Sequence, residues 1–462
     1  MTTKKHTKLS LWVLAWPIMI EMLLQFMIGT ADTLMVSRIS DHAVAVVGIS
    51  NQFFMSAIIL FMMITSGAGV LIAQKIGAGQ EQDARTVAVM TLQITFGLGI
   101  IVSAFLYFGA HLVSAWLQIP MELQPLAVTY ISVVGSGTMF TSLMLALSTI
   151  IRNTGNTKSP MYISIGMNIV HVFFNYLFIF GALGFPQWGL YGVALSTVMS
   201  RGLAVIVLLY VLRSAFSEPI KRRDYNLFRW PLLKEVLRIG WPMSINGASW
   251  TFSQITIFAL IASIGATELA ARTYLNTLES FCFLLGMSLS MAGQIQIAQL
   301  YGAARLSETY ETAWRVLRTG LAVVMVNTVL LVAFGRVILQ WFTSDNDILV
   351  LGVSVLLMNL ILQPAKMVCN TFISSLSAIG DTRFIAVVGV SSMWAVSVGL
   401  TYVFGISLHW GLLGIYAAMT LDEYVRGALY IMRWRQKRAM WGFGPWNGQN
   451  NATTSVRSEI ET

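Results

Sequence analysis

Three features of the chain predict an all-α integral membrane protein, with twelve transmembrane helices in two parallel six-helix lobes. The first is composition. Of 462 residues, 56% are hydrophobic and only 11% are charged, and the mean hydropathy is +0.71. Soluble proteins carry about 25% charged residues. The second is that apolar runs of about 18 residues or more recur from end to end, as membrane-spanning helices require. The third is an internal repeat at a nearly constant offset, described below.

Taken in order, the spans are predicted at roughly 10–36, 46–74, 90–117, 121–150, 160–181, 189–213, 235–264, 271–300, 313–342, 348–378, 384–406 and 411–434. The first run is longer than a signal-peptide core and carries no small-residue cleavage site, so it is expected to stay as a span. An even number of spans puts both termini on one side. The placement of the 29 Lys and Arg residues chooses the side. Arg38, Arg272 and Arg336 fall in or beside odd-numbered loops, and Arg201, Lys366 and Arg426 fall inside spans. All the others lie at the termini or in or beside even-numbered loops, which the positive-inside rule makes cytoplasmic. The net charge of +9 is therefore a topology signal and implies no nucleic-acid partner. The expected organisation is an N-lobe over 1–212, a cytoplasmic linker over 213–234, a C-lobe over 235–440 and a polar, disordered cytoplasmic tail over 441–462. The linker holds Lys221-Arg222-Arg223-Asp224 between Pro219 and Pro231. Cys282 and Cys369 both fall in apolar spans and read as buried inert thiols.

The two halves match. Trp16-Pro17 recurs as Trp241-Pro242, 225 positions on. Ile72-Ala73-Gln74 with Gly77-Ala78 recurs as Ile297-Ala298-Gln299 with Gly302-Ala303, and Gly155-Asn156-Thr157-Lys158 as Gly380-Asp381-Thr382-Arg383, again 225 apart. Trp188-Gly189-Leu190 with Gly192 recurs as Trp410-Gly411-Leu412 with Gly414, shifted by 222. A six-helix unit returns to the side it started from. The copies should thus be related by an axis along the membrane normal, an arrangement that holds substrate between the copies and rocks to alternate access. In the Gly-Asn/Asp-Thr-Lys/Arg boxes, Gly suits a left-handed helix stop, Asn or Asp suits a cap on the next helix, and the base suits anionic lipid.

The polar groups inside spans are the candidate functional residues. At 100° per residue, Glu21, Gln25 and Asp32 project within about 40° of one another on the first span. A charge at membrane depth is costly, so such a stripe should face a cavity or a partner. Asp32 reads as the carboxylate for a coupling ion. Glu21 is either a proton relay or the partner of a base or carbonyl. Asn168, His171 and Asn175 share one face of the fifth span and point to a polar pocket with Asp32. His171 titrates near neutrality when unperturbed. In the second half Lys366 is expected to pair with Glu279, to repel cations, or to select an anionic group on a substrate. Asp422 and Arg426 form an i, i+4 pair.

With Trp-Pro opening each half and the Gly-Asn/Asp-Thr box in each, the chain resembles the multidrug and toxic compound extrusion (MATE) transporters over about residues 8–435. The resemblance implies a V-shaped pair of lobes that exchange a cytoplasmic organic cation for external H⁺ or Na⁺. It places Asp32 on the family's first-helix acid and Gln25 on the polar residue two turns earlier. Many bacterial members carry Asn and then Asp ahead of the Leu177-Phe178-Ile179-Phe180-Gly181 end of the fifth helix; here those positions are His171 and Asn175. The acids that the sodium-coupled subgroup carries on its seventh and tenth helices are replaced by Gln254 and Lys366. Na⁺ wants several oxygen ligands, whereas a lone carboxylate in apolar surroundings suits a proton, because such surroundings favour the neutral acid. Proton coupling is therefore expected. A Na⁺ site from Asp32, Asn175 and backbone carbonyls is the alternative. The expected coupling-ion residues are Asp32, Asn175, Gln25, Glu21 and His171, and the substrate cavity takes Asn168, Gln254, Glu279 and Lys366.

No P-loop, metalloprotease, serine-nucleophile or Cys-x-x-Cys motif is present, so neither an ATP-driven pump nor a membrane enzyme is supported. No cofactor or resident metal is expected; H⁺ or Na⁺ is the coupling ion. The partners expected are small organic cations and the lipid bilayer, with the protein acting as a monomer in the cell membrane. A lipid-linked saccharide flippase on the same helix plan would want a basic cavity, for which Arg201, Lys366 and Arg426 are few and scattered. A non-transporting receptor is disfavoured by the repeat and the acidic stripe.

Overall fold

The computed structural model describes residues 10–220, 224 and 228–442. The Lys221-Arg222-Arg223 run and nearly all of the expected tail lie outside the described residues. The described residues form fourteen helices and no strand. They are α1 Leu11–Val36, α2 Asp41–Gly77, α3 Glu81–Phe108, α4 Ala110–Trp116, α5 Gln124–Ser136, α6 Thr138–Asn153, α7 Lys158–Phe180, α8 Gly189–Leu212, α9 Trp230–Ile264, α10 Ala266–Gly302, α11 Leu306–Gln340, α12 Asn346–Ala378, α13 Thr382–Ser392 and α14 Gly411–Met440. α13 runs on as π-helical turns through Met393–Val398 and Thr401–Ser407. Ten of these helices are long and apolar enough to cross a membrane, and α5 with α6, bent by 42°, makes an eleventh pass. α14 is the twelfth. Its 30 residues are less apolar because they carry Asp422, Glu423 and Arg426 inside and a basic run from Arg433 to Arg438 at the end.

Helices that satisfy their own backbone can present apolar side chains outward to lipid. α8 does so with Leu203, Ile206, Val207 and Tyr210, all exposed. Its other face, with Ala204, Val205 and Leu208, is buried in the first half. In the second half α10, α11, α12 and α14 enclose Ile257, Leu275, Leu356 and Ile415.

The halves pack most closely at one end. α1 buries Leu11, Leu14, Ala15 and Ile18 against Leu289, Ala292 and Ile295 of α10. By the same pseudo-symmetry, α9 buries Leu232, Leu233 and Val236 in the first half's core beside α2. Glycine permits the closest approaches. A Cβ on Gly77 would strike the carbonyl of Gln299, and one on Gly302 would strike the carbonyl of Gln74. Gly67 and Gly240 meet in the same way. Gln74 Nε2 donates to Ala378 O at 2.7 Å, and its repeat mate Gln299 Nε2 donates to Asn153 O at 3.4 Å. Beyond this seal Phe26 of α1 still meets Phe281 of α10 edge to face, with 4.4 Å between ring centroids. Most of α1 past Glu21 and of α9 past Pro242 is at least partly exposed, including Met27, Leu34, Trp250 and Ile255.

The repeated boxes sit at the sealed end. Gly155 and Gly380 have φ of +98° and +80°, as a left-handed helix stop needs. Asn156 caps as expected, its Oδ1 accepting from Ser159 N at 3.1 Å. Asp381 departs from that expectation and caps nothing. Partial burial works against its charge, yet Arg433 and Lys437, each 2.8 Å away, hold its carboxyl below the usual carboxylate range. The stretch after α8 lies against α3, where Arg85 pairs with Glu218 at 3.1 Å.

If close backbone contact holds this end shut, Gly302→Val should open it. Overpacking of this kind costs about 1–3 kcal/mol. Spin labels at the exposed positions Gln80 and Arg305 should then report a longer distance population than in the otherwise unchanged protein; an unchanged distribution would refute the role given to Gly302.

Candidate functional site

The first-half site is built from three helices. α1 supplies Asp32, α7 supplies His171 and Asn175 one turn apart, and α8 supplies Ser196 and Ser200, also one turn apart. Gly192 lets α8 close on α7, since a Cβ there would collide with Phe178. His171 Nε2 lies 2.7 Å from Asp32 Oδ1. Asn175 Nδ2 donates to the same oxygen at 3.0 Å, and Ser196 Oγ donates to Asn175 Oδ1. Ser200 Oγ lies 3.3 Å from His171 Nδ1. A neutral imidazole with its proton on Nε2 satisfies this network: it donates to Asp32 and accepts from Ser200. The Asp32 charge also acts on two further groups, Tyr130 and Arg201, and Arg201 Nη1 donates to Thr141 Oγ1 at 2.7 Å.

Asp32 thus has the polar neighbours His171 and Asn175 that the shared face of the fifth span predicts, and it is partly exposed. Its side chain is 29% exposed, while that of His171 is 6% exposed. The other expected ion-site residues lie elsewhere. Glu21 is buried near the sealed end, with Arg152 Nη2 of α6 at 2.8 Å from both carboxylate oxygens. Eleven residues separate it from Asp32 along α1, a rise of about 16 Å. It has taken the base-paired alternative. Gln25 is exposed between them. Asn168 is buried on the His171 face of α7, and both of its amide atoms lack a partner.

The second half holds two separate polar clusters. Glu279 of α10 accepts from Tyr416 OH at 2.7 Å and Asn359 Nδ2 at 3.1 Å, and it faces Arg272 Nη1 at 3.2 Å and Lys366 Nζ at 3.5 Å. The expected Lys366–Glu279 pair is present. Arg272, expected in or beside a loop, lies inside α10, which begins at Ala266, and is only 2% exposed. It lies over the rings of Phe258 and Tyr416. Gln254 joins neither residue. It lines a small cavity with Asp422, Glu423 and Arg426 of α14. The expected Asp422–Arg426 pair is present at 2.7 Å. Cys282 and Cys369 are buried free thiols.

The MatE family model matches this chain twice, at residues 17–177 and 242–403, one match in each half. The chain belongs to the MATE family. It is 33% identical over 428 residues to the uncharacterized transporter YisQ of Bacillus subtilis, covering 93% of this chain and 94% of the relative. It is 28% identical over 442 residues to the probable multidrug resistance protein NorM of Thermotoga maritima, covering 92% and 93%. Its fold matches the crystal structure of a MATE protein in the bent conformation with a TM-score of 0.87 at 20% identity, over 94% and 95% of the two chains. An outward-facing multidrug resistance MATE transporter matches with a TM-score of 0.85 at 20% identity, over 96% and 99%. This MATE protein is thus a multi-pass membrane transporter of a multidrug efflux family that acts on small molecules.

Serine is common in helices, so Ser196 and Ser200 carry no signal by themselves; only the spacing that puts both on one helical face hints at them. Arg152 was legible as a loop base, but no spacing rule links it to Glu21.

Breaking a buried ion pair by removing one partner costs about 3–5 kcal/mol, and removing both costs less. Thermal melts of this MATE protein in detergent should show Arg152→Ala strongly destabilised and Glu21→Gln/Arg152→Gln substantially recovered. Equal losses in the two would exclude a buried pair.

Proposed function

We propose that this protein exports organic cations and drugs from the cytoplasm in exchange for H⁺, by alternating access of its two lobes, with Asp32 as the coupling carboxylate. The observation that carries the reading is the 2.7 Å contact between Asp32 Oδ1 and His171 Nε2 at a partly exposed position. A proton can sit on either partner there, and a cationic substrate competes with it for the same negative charge. An inward proton gains roughly 2.3 kcal/mol per 100 mV of membrane potential, enough for about fiftyfold accumulation.

The arrangement favours H⁺ over Na⁺. Asp32 is faced by two nitrogens, His171 Nε2 and Asn175 Nδ2, and the Asn175 oxygen is engaged by Ser196. Na⁺ wants oxygens. With both termini and the basic even-numbered loops in the cytoplasm, the sealed end is cytoplasmic and Asp32 opens outward, the state in which external H⁺ is taken up. In this reading residues 1–212 and 235–440 act as the moving lobes, 213–234 links them, and one chain in the cell membrane suffices. Asn168, with its unpartnered amide, and the Lys366–Glu279 pair are the first places to look for substrate contacts. A flippase reading is weaker: Arg201, Lys366 and Arg426 lie on three helices and do not converge.

Everted vesicles with an imposed ΔpH and a pH-sensitive dye test the proposal. Ethidium should collapse ΔpH with the unaltered protein and fail to do so with Asp32→Asn. Efflux driven by Na⁺ alone would overturn proton coupling, and silence under both gradients would overturn cation antiport.

A further inference from the structure

An arginine near a membrane is costly unless it has a partner or reaches the headgroup layer. The 30 residues of α14 rise about 45 Å, against a hydrocarbon core of about 30 Å, so its last turns reach the membrane boundary at the sealed end. They carry Arg433, Arg435, Lys437 and Arg438. Asp381 holds Arg433 and Lys437, each at 2.8 Å, whereas Arg435 and Arg438 form no ion pair among the described residues. Both lie instead on aromatic rings near the start of α11. Arg435 Cζ is 5.9 Å from the centre of the Trp314 ring, and Arg438 Cζ is 5.1 Å from that of Tyr310. The rings are themselves fixed by packing. Tyr310 stacks on the fully buried Trp434 at 6.0 Å, and Trp314 meets Phe372 edge to face at 5.2 Å.

The surrounding surface is basic. α11 adds Arg315 and Arg318, both exposed, and Arg318 Nε donates to Trp314 O at 3.4 Å, beside the ring that Arg435 covers. The acids on the same turns of α11 are Glu308, which Arg305 Nε engages at 2.6 Å, and the exposed Glu311. Arg438 Nη1 is buried without a hydrogen-bond partner, and so is Trp434 Nε1 one turn earlier. Buried polar atoms are almost always paired, and guanidinium and indole nitrogens only donate. A ligand suited to this place therefore brings acceptors and negative charge. Trp and Tyr side chains at the boundary mark the headgroup level. The acceptors at hand there are lipid phosphates, and basic pockets between helix ends bind such headgroups.

We infer that the adjoining ends of α11 and α14 bind one anionic phospholipid, its phosphate on Arg435 and Arg438, with Arg315 and Arg318 beside them. α11 starts just past Gly302, so the lipid anchors the second half next to the seal.

Native mass spectrometry of the full chain in detergent, titrated with phosphatidylglycerol or phosphatidylcholine, tests this. The unaltered protein should bind its first phosphatidylglycerol more tightly than phosphatidylcholine. Arg435→Gln/Arg438→Gln should weaken that first binding about thirtyfold and leave phosphatidylcholine binding as it was. Equal affinity for the two lipids, or unchanged phosphatidylglycerol affinity in this variant, would overturn the site. Two further variants guard against misfolding and bulk charge effects. Arg315→Gln/Arg318→Gln, at exposed positions, should weaken phosphatidylglycerol binding severalfold, and Arg38→Gln/Arg336→Gln, exposed at the open end, should not. Loss in neither, or equal loss in both, would count against the site. Inorganic phosphate that displaces phosphatidylglycerol at equal concentration would reveal a free-anion site and overturn the lipid assignment.

Discussion

The sealed end is what the rest of the molecule depends on. There α2 meets α9 and α10 at backbone distance, because Gly67, Gly77, Gly240 and Gly302 carry no side chain to hold the helices apart, and α1 packs its side chains on α10 beside them. Closing one end of a pair of rigid lobes opens the other. That opening leaves the Asp32 carboxylate partly exposed between the halves while its partner His171 stays buried behind it. The seal and the Asp32 network share a helix: α1 carries Ala15 and Ile18 in the seal and Asp32 at its far end. A change at Asp32 therefore has a mechanical route to the gate.

The second constraint is the cost of charge in a membrane. Two of the charge clusters inside the bundle are bridged between helices. Glu21 on α1 meets Arg152 on α6, and Glu279 on α10 meets Lys366 on α12. These links are strong enough to act as structure. The Asp32 network differs because its hydrogen-bond partners, His171 and Asn175, include neither Arg nor Lys. The Asp422–Glu423–Arg426 group differs again, with two acids on one base.

Much of this was legible in the chain. The 225-residue offset between Trp16-Pro17 and Trp241-Pro242 marked two equivalent halves, and the family model matches each half separately. Helical periodicity put Asn168, His171 and Asn175 on one face, and the structure brings His171 and Asn175 to Asp32. The same periodicity overreached on α1. Sharing a face does not mean sharing a site, because the rise along a helix separates Glu21 from Asp32 as effectively as rotation unites them. Arg272 was misplaced because α10 starts five residues before the apolar run does. Asp381 is a cap by residue type, but Arg433 and Lys437 from a distant helix claim its carboxylate. Partners supplied across the chain were the part that local patterns did not reveal.

On the proposed function, the charge state of Asp32 sets which end is open. Spin labels at Arg38 and Ser263, exposed repeat mates at the open end of α1 and α9, would read this in nanodiscs by pulsed distance measurement. Acidification alone should redistribute the distances in the otherwise unaltered protein, and Asp32→Asn should fix them in one distribution at every pH. If both proteins respond to pH equally, or neither responds, Asp32 does not couple the proton to the gate.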